Sequence, residues 1–205
     1  MSLSGHGSDP TFRSEPTWIV ELRTVASDDW ARTPVIFHGD VVSQRHPPGT
    51  AWATVTIRHS APDEPLQLTP ERLDLRVRPS DLPPALTVGP AHDLDHVVHM
   101  WCAGGLGPEA IEGFLEATRG IASRYALGRE AWLEVLSHAV DPDGGETDEP
   151  MFDDIFLGRY RNPDAVDRLD ADPRWSQASS TLHAQAPHRL DLVIQPVLNR
   201  IAEHR

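Results

Sequence analysis

Met151 to Trp175, MFDDIFLGRYRNPDAVDRLDADPRW, reads as one strand handed directly to one helix, and the hand-over is written in specific residues. Ile155, Leu157 and Arg159 alternate with Asp154, Phe156, Gly158 and Tyr160, the period of two that a pleated strand requires. The period then changes. Asn162 carries a side chain that caps a helix, Pro163 fits the first helical position where no amide donor is needed, and Asp164 and Asp167 sit near the positive end of the helix dipole. Val166 and Leu169 mark the buried side. Asp172-Pro173 repeats the cap-then-proline signal, so the helix kinks or restarts there on its way to Trp175.

On the C-terminal side of this junction RLDLVIQPV, residues 189–197, makes a last strand. On the N-terminal side lie the acidic turn DPDGGETDEP at 141–150, the strand AWLEVLSHAV, a helix and the strand VVHMWCA. The helix opens at Pro108 after a turn at Gly104, Gly105 and Gly107, runs to about Ala126 and ends at Gly128. Ile111, Phe114, Leu115, Ile121, Ala122 and Tyr125 recur on it at helical spacing. The order from Val97 is strand, helix, strand, strand, helix, strand, a ferredoxin-like βαββαβ unit in which two helices cover one face of a four-stranded sheet. The other apolar face then needs a second sheet, a ligand or another domain.

Before this unit, PSDLPPALTVGP at 79–90 holds four prolines and reads as a domain boundary. Upstream of it WIVELRTV, VIFHGDVVSQ, AWATVTIRH and ERLDLRVR are strands, rich in β-branched and aromatic residues and bounded by turn residues. SDDWARTP, residues 27–34, supplies at most one helical turn between the first two. The expected organisation is a disordered lead-in at 1–16, a β-rich N-terminal region at 17–90 and a ferredoxin-like α+β domain at 91–205.

Composition excludes several classes. No run of eighteen apolar residues occurs, and the N-terminus lacks the basic-then-apolar order of a secretory signal, which gives no membrane partner and a cytoplasmic expectation. A formal charge of -13, with scattered arginines as the only basic residues, disfavours a phosphate backbone as partner. The single cysteine, Cys102, excludes an intramolecular disulfide and a cysteine-rich zinc site. His92, His96 and His99 have helical metal-ligand spacing, but a strand from Val97 sends His96 and His99 to opposite faces, so no metal site is assigned. No P-loop, nucleophile elbow or dinucleotide fingerprint occurs, and no cofactor is assigned.

With VVHMWCAG as first strand and FLGRYRNPDAVDRLDADPRWSQA as strand, turn and helix, residues 94–200 resemble the dimeric α+β barrel superfamily, which includes EthD-like, NIPSNAP-like and antibiotic-biosynthesis-monooxygenase-like proteins. The resemblance implies two ferredoxin-like sheets facing each other, hence a homodimer through the sheet face, around a space that holds a small molecule. The preceding residues are, on this view, either a separate β-rich region or a divergent barrel half that completes the barrel within one chain.

Within that frame, His99 and Trp101 share a strand face and are placed in the barrel interior, while Val98, Met100 and Cys102, the more apolar set, are placed under the helices. On the next strand Trp132 and His138 share a face, and on the third Arg159 and Tyr160 point oppositely, so one of the two reaches the pocket. His99 and His138 are the candidate catalytic bases, and Trp101, Trp132, Arg159 and Tyr160 the candidate pocket. This suits proton abstraction, isomerisation or cofactor-free oxygenation of a small aromatic or enolisable substrate. The alternative is a non-catalytic oligomerisation or interaction domain. An open, polar cavity at His99 and His138 marks the first class, and a dry, filled barrel counts against it.

Overall fold

The computed structural model describes residues 17–26, 34–46, 50–61, 63–79, 96–106, 108–139, 152–185 and 188–201. The expected lead-in, the helical turn near residue 30, most of the proline-rich boundary and the acidic turn lie outside the described residues. Among the described residues nine strands and three helices follow in the order β1 (Trp18–Arg23), β2 (Val35–His46), β3 (Thr54–His59), β4 (Leu68–Thr69), β5 (Arg72–Pro79), β6 (Val97–Gly104), α1 (Pro108–Tyr125), β7 (Ala126–His138), β8 (Asp154–Tyr160), α2 (Pro163–Asp170), α3 (Pro173–Gln185) and β9 (His188–Asn199). Every pairing is antiparallel, in the order β1-β3-β2-β9-β6-β8-β7-β5, and β1 pairs back onto β5 to close the ring. The two-residue β4 pairs only with the start of β5.

The ferredoxin-like α+β domain expected from the sequence is therefore corrected. The chain forms a closed antiparallel β-barrel of eight strands with few helices, not an open-faced βαββαβ layer that recruits a second sheet from another copy. The physical reason lies in β1, β3 and β5. Trp18, Val20 and Leu22, Val55 and Ile57, and Leu73, Leu75 and Val77 form one continuous apolar set with Val98, Met100 and Cys102 of β6, Ile155 and Leu157 of β8, and Leu190, Leu192 and Ile194 of β9. The apolar face that needed cover is covered by this chain's own strands, so the ferredoxin-like half-barrel expected from the sequence is not the arrangement this chain adopts.

The interior is packed like a protein core. Trp18, Phe37, Ile57, Leu75, Met100, Leu133 and Ile155 are fully buried, and each such side chain contributes about 1.5–3 kcal/mol relative to exposure. An eight-stranded barrel is just wide enough for side chains to fill it. Closure also requires close approach at the seam where β2 meets β9. A Cβ on Gly39 would stand 2.5 Å from Ile194 Cγ2 and 2.7 Å from the Gln195 carbonyl oxygen, so no side chain fits there.

The outer surface divides in two. Over β1 and β5 the outward residues make an ionic network: Arg72 meets Glu21 at 2.7 Å and Asp74 at 2.8 Å, and burial pushes the Asp74 carboxyl above its ordinary range. Over β6, β8 and β9 the helices cover the outer face, with Val97, Tyr160 and Val193 packing on Ile121, Val166 and Leu169. The junction into these helices follows the residues that signalled it. Asn162 Oδ1 accepts from the Ala165 amide at 3.0 Å with Pro163 in the first turn, and Asp172 Oδ1 accepts from the Arg174 amide at 3.0 Å where the helix restarts as α3. Arg45 of β2 pairs with Asp167 and Asp170, fastening α2 to the barrel wall.

Three substitutions test this packing by urea denaturation. Asn162→Ala is expected to cost about 1 kcal/mol. Gly39→Ala costs about 1–3 kcal/mol, because a backbone carbonyl cannot move aside. Met100→Ala costs about 2–5 kcal/mol if its side chain fills the barrel, and well under 1 kcal/mol if the barrel interior has room to spare.

Candidate functional site

The face of β6 that carries His99 and Trp101 looks outward, towards the helices, and not into the barrel. Val98, Met100 and Cys102 fill the barrel, the reverse of the orientation read from hydrophobicity alone. The more apolar of two alternating sets belongs to the deeper core. In this chain the deeper core is the barrel.

On β9 the register sets Asp191 opposite Trp101 and Val193 opposite His99. Asp191 thus lies diagonally beside His99, and its Oδ1 stands 2.6 Å from His99 Nε2, with both residues buried. The carboxylate orients the ring, and Nδ1 is the ring nitrogen not committed to Asp191. On the other side of β6, Gly158 of β8 is opposite His99. A Cβ there would stand 2.9 Å from the Tyr160 ring and 3.1 Å from the Phe156 ring. The missing side chain lets both rings lie across the strand, and Tyr160 meets His99 edge-on with centroids 5.8 Å apart.

The helices supply the roof. Phe114 of α1 stacks on Trp101 with centroids 5.8 Å apart at 18°, and Trp175 of α3 meets Phe114 edge-on at 5.3 Å. Trp175 is held from behind, its Nε1 donating to Asp170 Oδ1 at 3.1 Å, and Asp170 is in turn gripped by Arg45. Between sheet and roof lies a cavity of about 20 Å³, lined by His99, Asp191 and the rings of Trp101, Phe114, Phe156 and Trp175, with Asp170 and Ser179 completing it. That is room for one water molecule.

The remaining residues singled out in the sequence lie elsewhere. Tyr160 packs against His99 but belongs to the apolar layer under α2, where burial pushes its phenol well above the ordinary range. Trp132 shares the outer face, edge-on to Phe156 at 5.7 Å, and its Nε1 donates to Asp154 Oδ1 at 2.8 Å; it does not line the cavity. Arg159 pairs with Val98 and falls in the inward set of β8 with Ile155 and Leu157. His138 is not brought to His99. Gly158 links His99 to Arg129 of β7, and His138 lies nine residues farther along that strand, on the order of 25 Å away.

Sequence reasoning missed Asp191, Asp170, Phe114, Phe156, Trp175 and Ser179 as site residues. Asp191 left a signal, being the one acid between the apolar residues of LDLVI. The helical residues left none, because which face of a helix meets which strand is a tertiary fact. Cys102 is buried in the barrel, and burial first, then the Asp191 charge, pushes its thiol far up, which makes it inert. Among the described residues no cluster of His, Cys, Asp and Glu could hold a metal ion, and no helix is long and apolar enough to cross a membrane.

No protein-family model and no curated protein matches the chain. Among solved structures it is similar to a candidate monooxygenase from Lactobacillus acidophilus NCFM, at 11% identity over 91% of this chain and 97% of that one, with a TM-score of 0.44. An anthrone oxidase-like protein is similar at 10% identity over 90% and 92% of the two chains, with a TM-score of 0.49. A candidate monooxygenase from Fusobacterium nucleatum is similar at 9% identity over 90% and 94%, with a TM-score of 0.47.

Removing one partner of the buried pair leaves the other unsatisfied. Asp191→Ala is expected to cost about 1–3 kcal/mol in chemical denaturation. Gly158→Ala costs about 1–3 kcal/mol by forcing Tyr160 and Phe156 apart, and broadens the His99 ring resonances in NMR spectra as the edge contact is lost.

Proposed function

We propose that this protein is a small-molecule acid–base catalyst or binder whose reactive group is His99, positioned by Asp191, in the crevice between the outer face of the barrel and its helices. The observation that carries the reading is the 2.6 Å His99–Asp191 contact, buried at the wall of an aromatic-lined cavity. A histidine that serves packing alone has no need of a carboxylate, and burying a carboxylate in an apolar strand is costly unless it is paired. The pair has the composition of a general base: a weak carbon or oxygen acid gives its proton to the ring nitrogen not held by Asp191, and Asp191 stabilises the imidazolium that results. The negative charge stays on the substrate. Proton abstraction and isomerisation begin with this step, and so does cofactor-free oxygenation, in which the substrate anion would then pass electrons to molecular oxygen. Four aromatic walls favour a flat aromatic or enolisable compound over a sugar or a peptide.

A second reading has its own observation. A cavity of about 20 Å³ holds no substrate as it stands, which suits a non-catalytic interaction domain in which His99–Asp191 is a satisfied structural pair.

Exchange of the acidic C–H protons of small 1,3-diketones in heavy water, followed by proton NMR, separates the two. On the catalytic reading the wild type accelerates exchange, His99→Gln removes about 10²–10⁴-fold of that rate, and Asp191→Asn retains a fraction of it. Equal exchange rates for wild type and His99→Gln, with only thermal stability altered, establish the structural reading.

A further inference from the structure

We infer that the groove between α1 and α3 is the antechamber of the His99–Asp191 cavity, with Phe114 as the movable wall between the two and Gly113 as the residue that keeps the groove open. This rests on the acid–base reading above, which supplies the occupant: a flat, neutral weak acid.

The first support is the disparity of the two spaces. The inner cavity measures about 20 Å³ and the outer groove about 500 Å³, and Phe114 lines both. The groove has the volume of a small-molecule site, whereas the inner space takes only a water. The one ring common to them is held by contacts with two other rings, Trp101 and Trp175, while its backbone is fixed separately by the helix, whose Thr118 hydroxyl donates to the Phe114 carbonyl at 2.7 Å. The ring can swing about its side-chain torsions with the helix in place. When it leaves, a planar guest takes its position on the face of Trp101, beside His99.

The second support is the chemistry of the groove. Its floor is Phe114 and Leu182, and its rim carries Glu109 and Arg174, one charge of each sign, with Gln177 and Thr181 between. Balanced rim charges on a strongly acidic protein suit a neutral guest with a hydrogen-bonding edge, admitted before it is ionised.

The third support is Gly113. Glycine inside a helix is costly relative to alanine, and a Cβ on Gly113 would meet nothing within 4 Å. Packing does not demand the glycine, and the space a side chain would occupy is the groove itself. Gly120 on the same helix also faces open space but does not line the groove, and so serves as a matched control.

The test uses 4-nitrophenol with the full-length protein. Quenching of tryptophan emission reports occupancy, and nitrophenolate absorbance in excess of that of free ligand at the same pH reports proton transfer on the protein. Gly113→Leu is expected to weaken binding about tenfold or more, while Gly120→Leu binds as the wild type does. Phe114→Ala is expected to associate about fivefold faster or more in stopped flow, because no ring has to move. His99→Gln still binds but loses the excess nitrophenolate absorbance. Equal affinity in Gly113→Leu and wild type, unchanged association in Phe114→Ala, or no saturable quenching in either wild type or Phe114→Ala overturns the antechamber. Nitrophenolate absorbance in His99→Gln that exceeds that of free ligand as much as in the wild type overturns the acid–base reading and leaves the antechamber standing.

Discussion

The pairing of β1 with β5 is the contact on which the rest depends. Six residue pairs, Trp18 with Val77 through Arg23 with Arg72, turn a sheet with two open edges into a ring. Once the ring is closed its interior has room for one set of side chains, and the apolar alternants of each strand take it. The other alternants are thereby committed to the outside. His99, Asp191, Trp101 and Phe156 face outward for this reason, and a water-excluding site can be assembled from them only where another layer covers the sheet. The three helices provide that layer over β6, β8 and β9. Barrel closure and site location are one decision, taken by the same hydrophobic pattern.

Much of the local structure was legible. The Asn162-Pro163 and Asp172-Pro173 signals located the start of α2 and its restart as α3, and the strands from Trp18 to Pro79 were marked by their β-branched and aromatic content. The assembly of those strands was not legible. Alternation states which residues share a face and is silent about what covers that face, so Val98, Met100 and Cys102 were given to the helices and His99 to the barrel. The same silence led to an open ferredoxin-like layer where the chain closes on its own N-terminal strands. Gly128 illustrates a smaller miss. A glycine after Tyr125 resembles a helix C-cap, yet β7 begins at Ala126 and Gly128 pairs with Arg159, since strand pairing to β8 outweighs local propensity. His138 was grouped with His99 by residue type. Register separates them by most of the length of β7.

The places where residue choice departs from the rules of a stable element cluster around one spot. Asp191 is an acid inside an apolar strand, Gly158 a gap in the middle of β8, and Gly113 a gap in the middle of α1. None of these improves the element that carries it. The first two alter the space next to His99, Asp191 by hydrogen bonding and Gly158 by letting two rings lie across the strand, while Gly113 lines the groove on the other side of Phe114. The Arg45–Asp170–Trp175 chain adds the opposite quality, stiffness, to the far wall. One wall of the cavity is braced to the barrel by an ion pair while the facing one, Phe114, is held by apolar contacts.

The position of the outermost strands has a mechanical consequence. β1, where the described chain begins, lies between β3 and β5, and β9, near where it ends, lies between β2 and β6. Neither is an edge. A pull transmitted along β1 or β9 cannot peel one ladder at a time, because each of these strands is bonded on both sides. The load on either strand is shared by two ladders of the ring at once.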